Sequence, residues 1–331
     1  MAKQPVHGLT QTKGEFQLKG IVTGTQKSNF YMDKKTKKGN DFRMVNFGVE
    51  YEKGKTIYIS LNGMPQDNVY FSKKDKETKQ TQVEKVPFAQ RMTFNKEGFQ
   101  LIGINLGLEK DAEGNNVKQR MVDFDAVKYI SEKLQDGQSV FIRGNVEYGS
   151  YFDEKGNKKR TVKYIPSQIS LCTEVDFEDE GFKSQHAFNQ VIVFQKVDKE
   201  EDKFKLQANI VNYGGIEDAE FTIKDKSLAT TLRSKLKPYN AIRVHGEIEV
   251  TETVVEEDDD VWGEEDKTQS VAAPTIREMV ITGATPSTLD TDTYTEKLFN
   301  EGLEKLKAKD QAKEDWGSSA KNEVDEEDEV W

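Results

Sequence analysis

The chain has a single cysteine, Cys172, and three histidines among its 331 residues. A lone thiol excludes internal disulfides and every zinc site built on paired cysteines, and His7, His186 and His245 are too scattered to predict a metal cluster. No stretch is apolar for long enough to span a bilayer, and MAKQPVHGLTQTKGE lacks a hydrophobic signal region, so a cytoplasmic protein with no membrane partner is expected. Hydrophobic residues make up only 35% and charged ones 32%, with a mean hydropathy of -0.78, which leaves much of the chain for solvated loop or tail. Catalytic signatures are missing as well. GKT at 54–56 is not a phosphate loop, because five residues rather than four separate Gly48 from Gly54 and the segment reads as a hairpin turn. Gly-x-Ser-x-Gly and HExxH do not occur, and no apolar setting tunes a carboxylate pair. The expectation is a protein that is not an enzyme and uses no cofactor or metal.

What is present is unevenly distributed. The net charge of -11 conceals a division: residues 1–172 hold 29 Lys/Arg against 20 Asp/Glu, and the rest hold 19 against 39, so the first half is +9 and the second -20. That split fits a basic module that meets polyanions joined to an acidic one that repels or imitates them. The three tryptophans follow the acid. Trp262 ends EEDDDVW, Trp316 lies in KEDWGSS and Trp331 ends EVDEEDEVW, none in a segment that reads as core.

An internal repeat predicts the architecture, and the length allows two domains. The helical segment AVKYISEKL (126–134) precedes SVFIRGNVEY (139–148), and about a hundred residues later LATTLRSKL (228–236) precedes AIRVHGEIEV (241–250). Both strands alternate with period two and carry a central glycine, Gly144 or Gly246, which marks a sharp bend in a small barrel. Upstream of the helices lie EFQLKGIVTG (15–24), RMVNFGVEY (43–51) and TIYISL (56–61) in one copy, and FNQVIVFQKV (188–197), FKLQANI (204–210) and AEFTIKD (219–225) in the other. TVKYIPSQISL (161–171) and TIREMVITGA (275–284) close the two copies.

Each copy thus reads strand, strand, strand, helix, strand, strand, the order of the OB-fold, a small barrel that binds oligonucleotides on strands two and three and on the loops joining strands 1-2 and 4-5. The predicted fold is mainly β. It comprises two five-stranded OB-fold barrels in tandem, 13–172 with an insertion at 62–123 and 183–286 with an acidic loop at 251–274, then an amphipathic helix and disordered acidic tail over 287–331. In the last segment Thr293-x-x-Glu296 reads as a capping box opening a helix with Leu298, Phe299, Leu303 and Leu306 near one face.

The two recognition loops of the first barrel combine rings with cations. The strand 1-2 connection carries Phe30, Tyr31, Lys34, Lys35, Lys37, Lys38 and Phe42, and the strand 4-5 connection carries Tyr151, Phe152, Lys155, Lys158, Lys159, Arg160 and Tyr164. Lysines neutralise phosphates and rings stack on bases, so these residues, with Arg43, Tyr58 and Arg143 on the strands, are the candidate contacts to a single-stranded nucleic acid. About half of the adjacent aromatics Phe30, Tyr31, Tyr151 and Phe152 are expected to face the ligand. In the second barrel the strand 4-5 loop holds nine acids before Lys267, and Arg243, His245, Glu247 and Glu249 stand outward on the fourth strand without a ring. That barrel is expected to serve packing, protein contacts or self-association.

These loops, the twin barrel pattern and the tip Asp325, Glu326, Glu327, Asp328, Glu329, Val330 and Trp331 resemble phage-type single-stranded DNA-binding proteins, which carry OB-folds and an acidic C-terminal tail capped by an aromatic. The resemblance implies sequence-independent binding of single-stranded DNA in replication, recombination and repair, in a host cytoplasm, and a tail that recruits replication or recombination proteins. The acids of such a tail can stand in for phosphates and its indole for a base, so it also competes with DNA. Two other readings remain open: an acidic DNA mimic or protein-interaction inhibitor of a nucleic-acid enzyme, and a recombination annealing protein.

Overall fold

The computed structural model describes residues 5–75, 77–153, 155–252 and 275–319. In chain order they form β1 (Gly14–Thr23), β2 (Tyr31–Lys35), β3 (Asp41–Glu52), β4 (Lys55–Gly63), β5 (Asn68–Lys74), β6 (Thr81–Pro87), a 3-10 turn, β7 (Gln100–Leu101), β8 (Ile104–Gly107) and β9 (Gln119–Met121). After these come α1 (Asp123–Lys133), β10 (Ser139–Phe152), β11 (Lys158–Leu171), β12 (Gln185–Glu200), β13 (Lys203–Val211), β14 (Ile216–Ile223), α2 (Lys226–Lys235), β15 (Ala241–Glu252), β16 (Thr275–Asp290) and α3 (Glu296–Ser319).

Strict alternation builds the first barrel. Val45, Phe47 and Val49 on β3 and Ile57, Ile59 and Leu61 on β4 are buried, as the period-two pattern predicts. β1 pairs antiparallel with both β3 and β10, β3 with β4, and β10 with β11, and β11 closes the ring by running parallel to β4 at Tyr164↔Ile59. The second barrel repeats this with β12, β13, β14, β15 and β16, closing through the parallel pair Thr222↔Val280. The bends fall where the glycines predict. Register shifts sit at Arg143/Gly144 and His245/Gly246, and a Cβ on Gly144 or Gly246 would stand 2.0 or 1.9 Å from the carbonyl oxygen of Ile165 or Val280.

The first strands of the two barrels pair with each other, β1 antiparallel to β12, with Phe16 opposite Phe188. Those two residues hold the same place in their barrels, since Phe16 also faces Gly144 and Phe188 faces Gly246. The barrels are therefore related by a local two-fold through this pair, and one hydrophobic core runs through both. Tyr51 seals the junction, its ring 4.3 Å from that of His186 and its hydroxyl accepting from the Val250 amide at 3.0 Å. Tyr148 does the same from the other side, donating to Met279 Sδ at 2.9 Å.

The insertion divides into two parts. β5, β6 and β7 form a separate sheet over a small core of Val69, Phe71 and Val86, while β8 joins the barrel parallel to β11 and buries Ile104 and Leu106. The helix at the end begins later than the capping pattern predicts. Asp290 accepts the Thr293 amide, and Thr295 Oγ1 accepts from Leu298 N at 3.3 Å, so Thr295 is the cap. Phe299 and Gly302 bury against the second barrel and the segment at 5–12, whereas Leu298 and Leu303 stand exposed, flanking that stripe on opposite sides. The 5–12 segment, which alternation does not mark, is tied down by His7 Nε2 to the Asn212 carbonyl at 2.7 Å and by the Tyr294 hydroxyl donating to the Thr10 carbonyl at 2.9 Å.

Candidate nucleic-acid interface

The outer face of β3 and β4 presents Phe42, Met44 and Asn46 beside Tyr58, Ser60 and Asn62, with Met44 opposite Asn62 and Asn46 opposite Ser60. β2, not resolved as a strand in the sequence pattern, lengthens this face: it pairs with β3 and puts Met32 opposite Met44 and Lys34 opposite Phe42. Lys34 Nζ lies 5.9 Å from the Phe42 ring centre. The tip of this hairpin carries Lys35, Lys37 and Lys38, with Lys35 3.6 Å from Asp41. Because β11 runs parallel to β4 at Tyr164↔Ile59, the β10–β11 hairpin borders the Tyr58 end of the face and the β2–β3 hairpin the Asn62 end.

The β10–β11 hairpin is fourteen residues long in each arm and overruns the barrel. Its tip turns on Asp153, whose carboxylate accepts the Asn157 and Lys155 amides and is thereby held below its ordinary value. Phe152, 72% exposed, pairs with Lys158, Tyr151 with Lys159 and Ser150 with Arg160. Lys158 reaches Asp218 of the second barrel at 3.4 Å and Lys159 reaches Asp153 at 3.7 Å, both in solvent-exposed pairs that cost little to break. Tyr58 is 50% exposed, and the Arg277 guanidinium from β16 stands 5.0 Å over its ring. Sequence reasoning passed over Arg277, since only the two-fold packing of the barrels brings it there.

Five expected contacts lie elsewhere. Phe30 and Tyr164 are core residues, 7% and 6% exposed, the latter edge-on to Phe16 at 5.2 Å. Tyr31 shares the inward side of β2 with the residues opposite Val45, is partly buried, and donates to Asp33 at 3.0 Å; burial raises its pKa. Arg43 alternates with Val45 and so turns toward α1, where it lies 3.9 Å over the Phe124 ring and donates to Asp33 at 3.0 Å, holding that carboxyl below its ordinary value. Arg143 is exposed on the outer side of β10, which neighbours β1 and β11 and therefore forms the wall away from β3 and β4. The expected set thus separates into rings that pack (Phe30, Tyr31, Tyr164) and rings that face outward (Phe42, Tyr58, Tyr151, Phe152).

The equivalent face of the second barrel has a different chemistry. The outer residues of β13 and β14 include Lys205, Gln207, Asn209, Asp218, Glu220 and Thr222, with no ring among them. Its cations are engaged: Lys205 lies 2.9 Å from Glu278 and 3.3 Å from Glu220, and Lys203 lies 2.7 Å from Glu278. Burial alone would raise the Glu278 carboxyl, but hydrogen bonds from Lys203 and Lys205 outweigh it and hold the group at about 2. The acidic loop at 251–274, apart from Thr251 and Glu252, and the tip Asp325 to Trp331 lie outside the described residues.

Two closed five-stranded barrels, each with its helix between the third and fourth strands, define a tandem OB-fold protein. The model of the YorF family matches residues 73–319, and the chain belongs to that family. Among solved structures it is similar to the wild-type single-stranded DNA binding protein from Thermus aquaticus, at 11% identity and a TM-score of 0.40 over 83% of this chain and 93% of that chain. It is also similar to a deletion mutant of that protein, at 11% identity and a TM-score of 0.39 over 83% and 94%. No curated protein matches the chain.

Proposed function

We propose that the chain binds single-stranded DNA without sequence preference, through the outer face of β3 and β4 and the two hairpins that border it. The observation that carries this reading is the contrast between two barrels of one fold. At matching strand positions the first presents outward rings, with Lys34, Lys38, Lys155 and Arg160 on the bordering hairpins in no ion pair among the described residues, and the second presents no ring and lysines already neutralised by Glu278 and Glu220. Rings on a barrel face accept unstacked bases, and hairpin cations accept the phosphates between them. A duplex keeps its bases stacked and paired and offers such rings nothing to stack on.

The protein serves DNA replication, recombination or repair, and the choice of DNA over RNA follows the phage-type resemblance. The second barrel serves packing and protein contacts. The acidic tip competes for the basic rim until a long strand displaces it, and then recruits replication or recombination proteins. Fluorescence titration with poly-dT and with duplex DNA, each at two salt concentrations, tests the core of the reading. Tight binding to poly-dT that weakens steeply with salt is expected; a preference for duplex, or affinity indifferent to salt, would overturn it. Deleting residues 323–331 should leave poly-dT affinity equal or higher, and a loss would favour the DNA-mimic reading.

A further inference from the structure

The row Tyr58, Ser60, Asn62 along β4 does not end at the barrel. Past Asn62 it opens into a cleft of about 830 Å³ between the β2–β3 hairpin, represented by Asn40, and the inserted sheet. The volume lies within the range of about 300–1,000 Å³ usual for small-ligand sites. Along β5 the alternation buries Val69 and Phe71 in the insertion's own core and leaves Tyr70 facing the other way, exposed at the cleft. Ile102, whose amide donates to the Tyr70 carbonyl at 2.7 Å, and Met64 are exposed beside it. Amide side chains of Asn62, Gln66 and Asn68 add to the lining beside Phe88, Val122 and Phe124, and among the described residues its charged members are Asp67 and Asp123.

We propose that this cleft takes the next base of the single strand, stacked on Tyr70, so that the insertion extends the nucleic-acid path beyond the barrel. The proposal rests on the reading of the β3–β4 face given above. A surface with an exposed ring, two apolar neighbours and several amides, but no cation, suits the uncharged base rather than the phosphate. The phosphates fall to Lys34, Lys35 and Lys38 on the hairpin that forms the opposite lip. Continuity with the β4 row through Asn62, which belongs both to that row and to the cleft, sets the direction of the strand.

The test uses the full chain with oligo-dT of two lengths, about 4 and about 16 nucleotides, the two ends of the range one OB barrel occupies. Tyr70→Ala should weaken the longer oligonucleotide by at least about fivefold, one lost stack, and leave the shorter one unchanged. Tyr70→Phe should restore parental affinity, and thermal unfolding of each variant checks that the insertion still folds. Photocrosslinking of iododeoxyuridine-substituted oligo-dT should place adducts at Tyr70 as well as Tyr58. Adducts at Tyr58 without any at Tyr70, with Tyr70→Ala binding like the parent, would overturn the extended path while leaving the barrel face intact. A chain that binds neither length and gives no adduct would overturn both.

Discussion

Replacing Lys34, Lys38, Lys155 and Arg160 together by Gln separates phosphate contact from fold. None of the four is paired with a carboxylate among the described residues, and all project from the two hairpins that border the β3–β4 face. Gln keeps much of each aliphatic stem, including the one Lys34 lays near Phe42. Each phosphate contact on a single strand contributes about 0.7 to the slope of log affinity against log salt, so losing four should reduce the slope by about 2.8. Between about 50 and 200 mM salt that difference amounts to ~50-fold, the parent losing that much more affinity than the variant. Poly-dT titrations across that range read it directly, and thermal unfolding of the variant should match the parent because the charges removed are solvent-exposed. A slope unchanged within error would mean that the hairpins do not touch phosphate, and the proposed site would have to be abandoned.

Two further outcomes test assignments in which the fold departs from expectation or adds to it. Tyr164→Ala should cost about 3–5 kcal/mol in urea unfolding, the penalty for emptying an aromatic from a core, while oligo-dT affinity of the folded variant stays parental. Glu278 titrates at about 2 in the fold against an ordinary 4.5, so its pairing stabilises the protein above pH 4.5 and that contribution fades as pH falls toward 2. Urea midpoints should drop across this window, and Glu278→Gln should flatten the drop relative to the parent.

The barrel pattern was legible because period-two alternation is local: the residues that bury on β3 and β4 are those the spacing selects, and the repeated central glycines announce the bends. The same rule, applied one residue at a time, would also have turned Arg43 inward, since it alternates with Val45 on the core side. Composition alone had grouped it with the hairpin lysines. Tyr164 was misplaced for a related reason, because a ring near a basic loop looks the same in sequence whether it caps the barrel or faces a strand of DNA. Tyr70 could have been found from the alternation of Val69 and Phe71 around it, had the insertion been read as a sheet with its own core.

The sequence by itself determined that there are two barrels of one pattern, that their charges differ in sign, and that rings and lysines gather in the loops of the first. Tertiary structure alone decided which wall each side chain occupies, that β1 and β12 join the barrels about a two-fold, and that Arg277 and the inserted sheet come to border the face of the first barrel. The division has one cause. Alternation and turn chemistry act over a few residues and are written in the order of the chain, whereas barrel closure and strand pairing bring together residues as far apart as Tyr58 and Arg277, whose proximity no local pattern encodes.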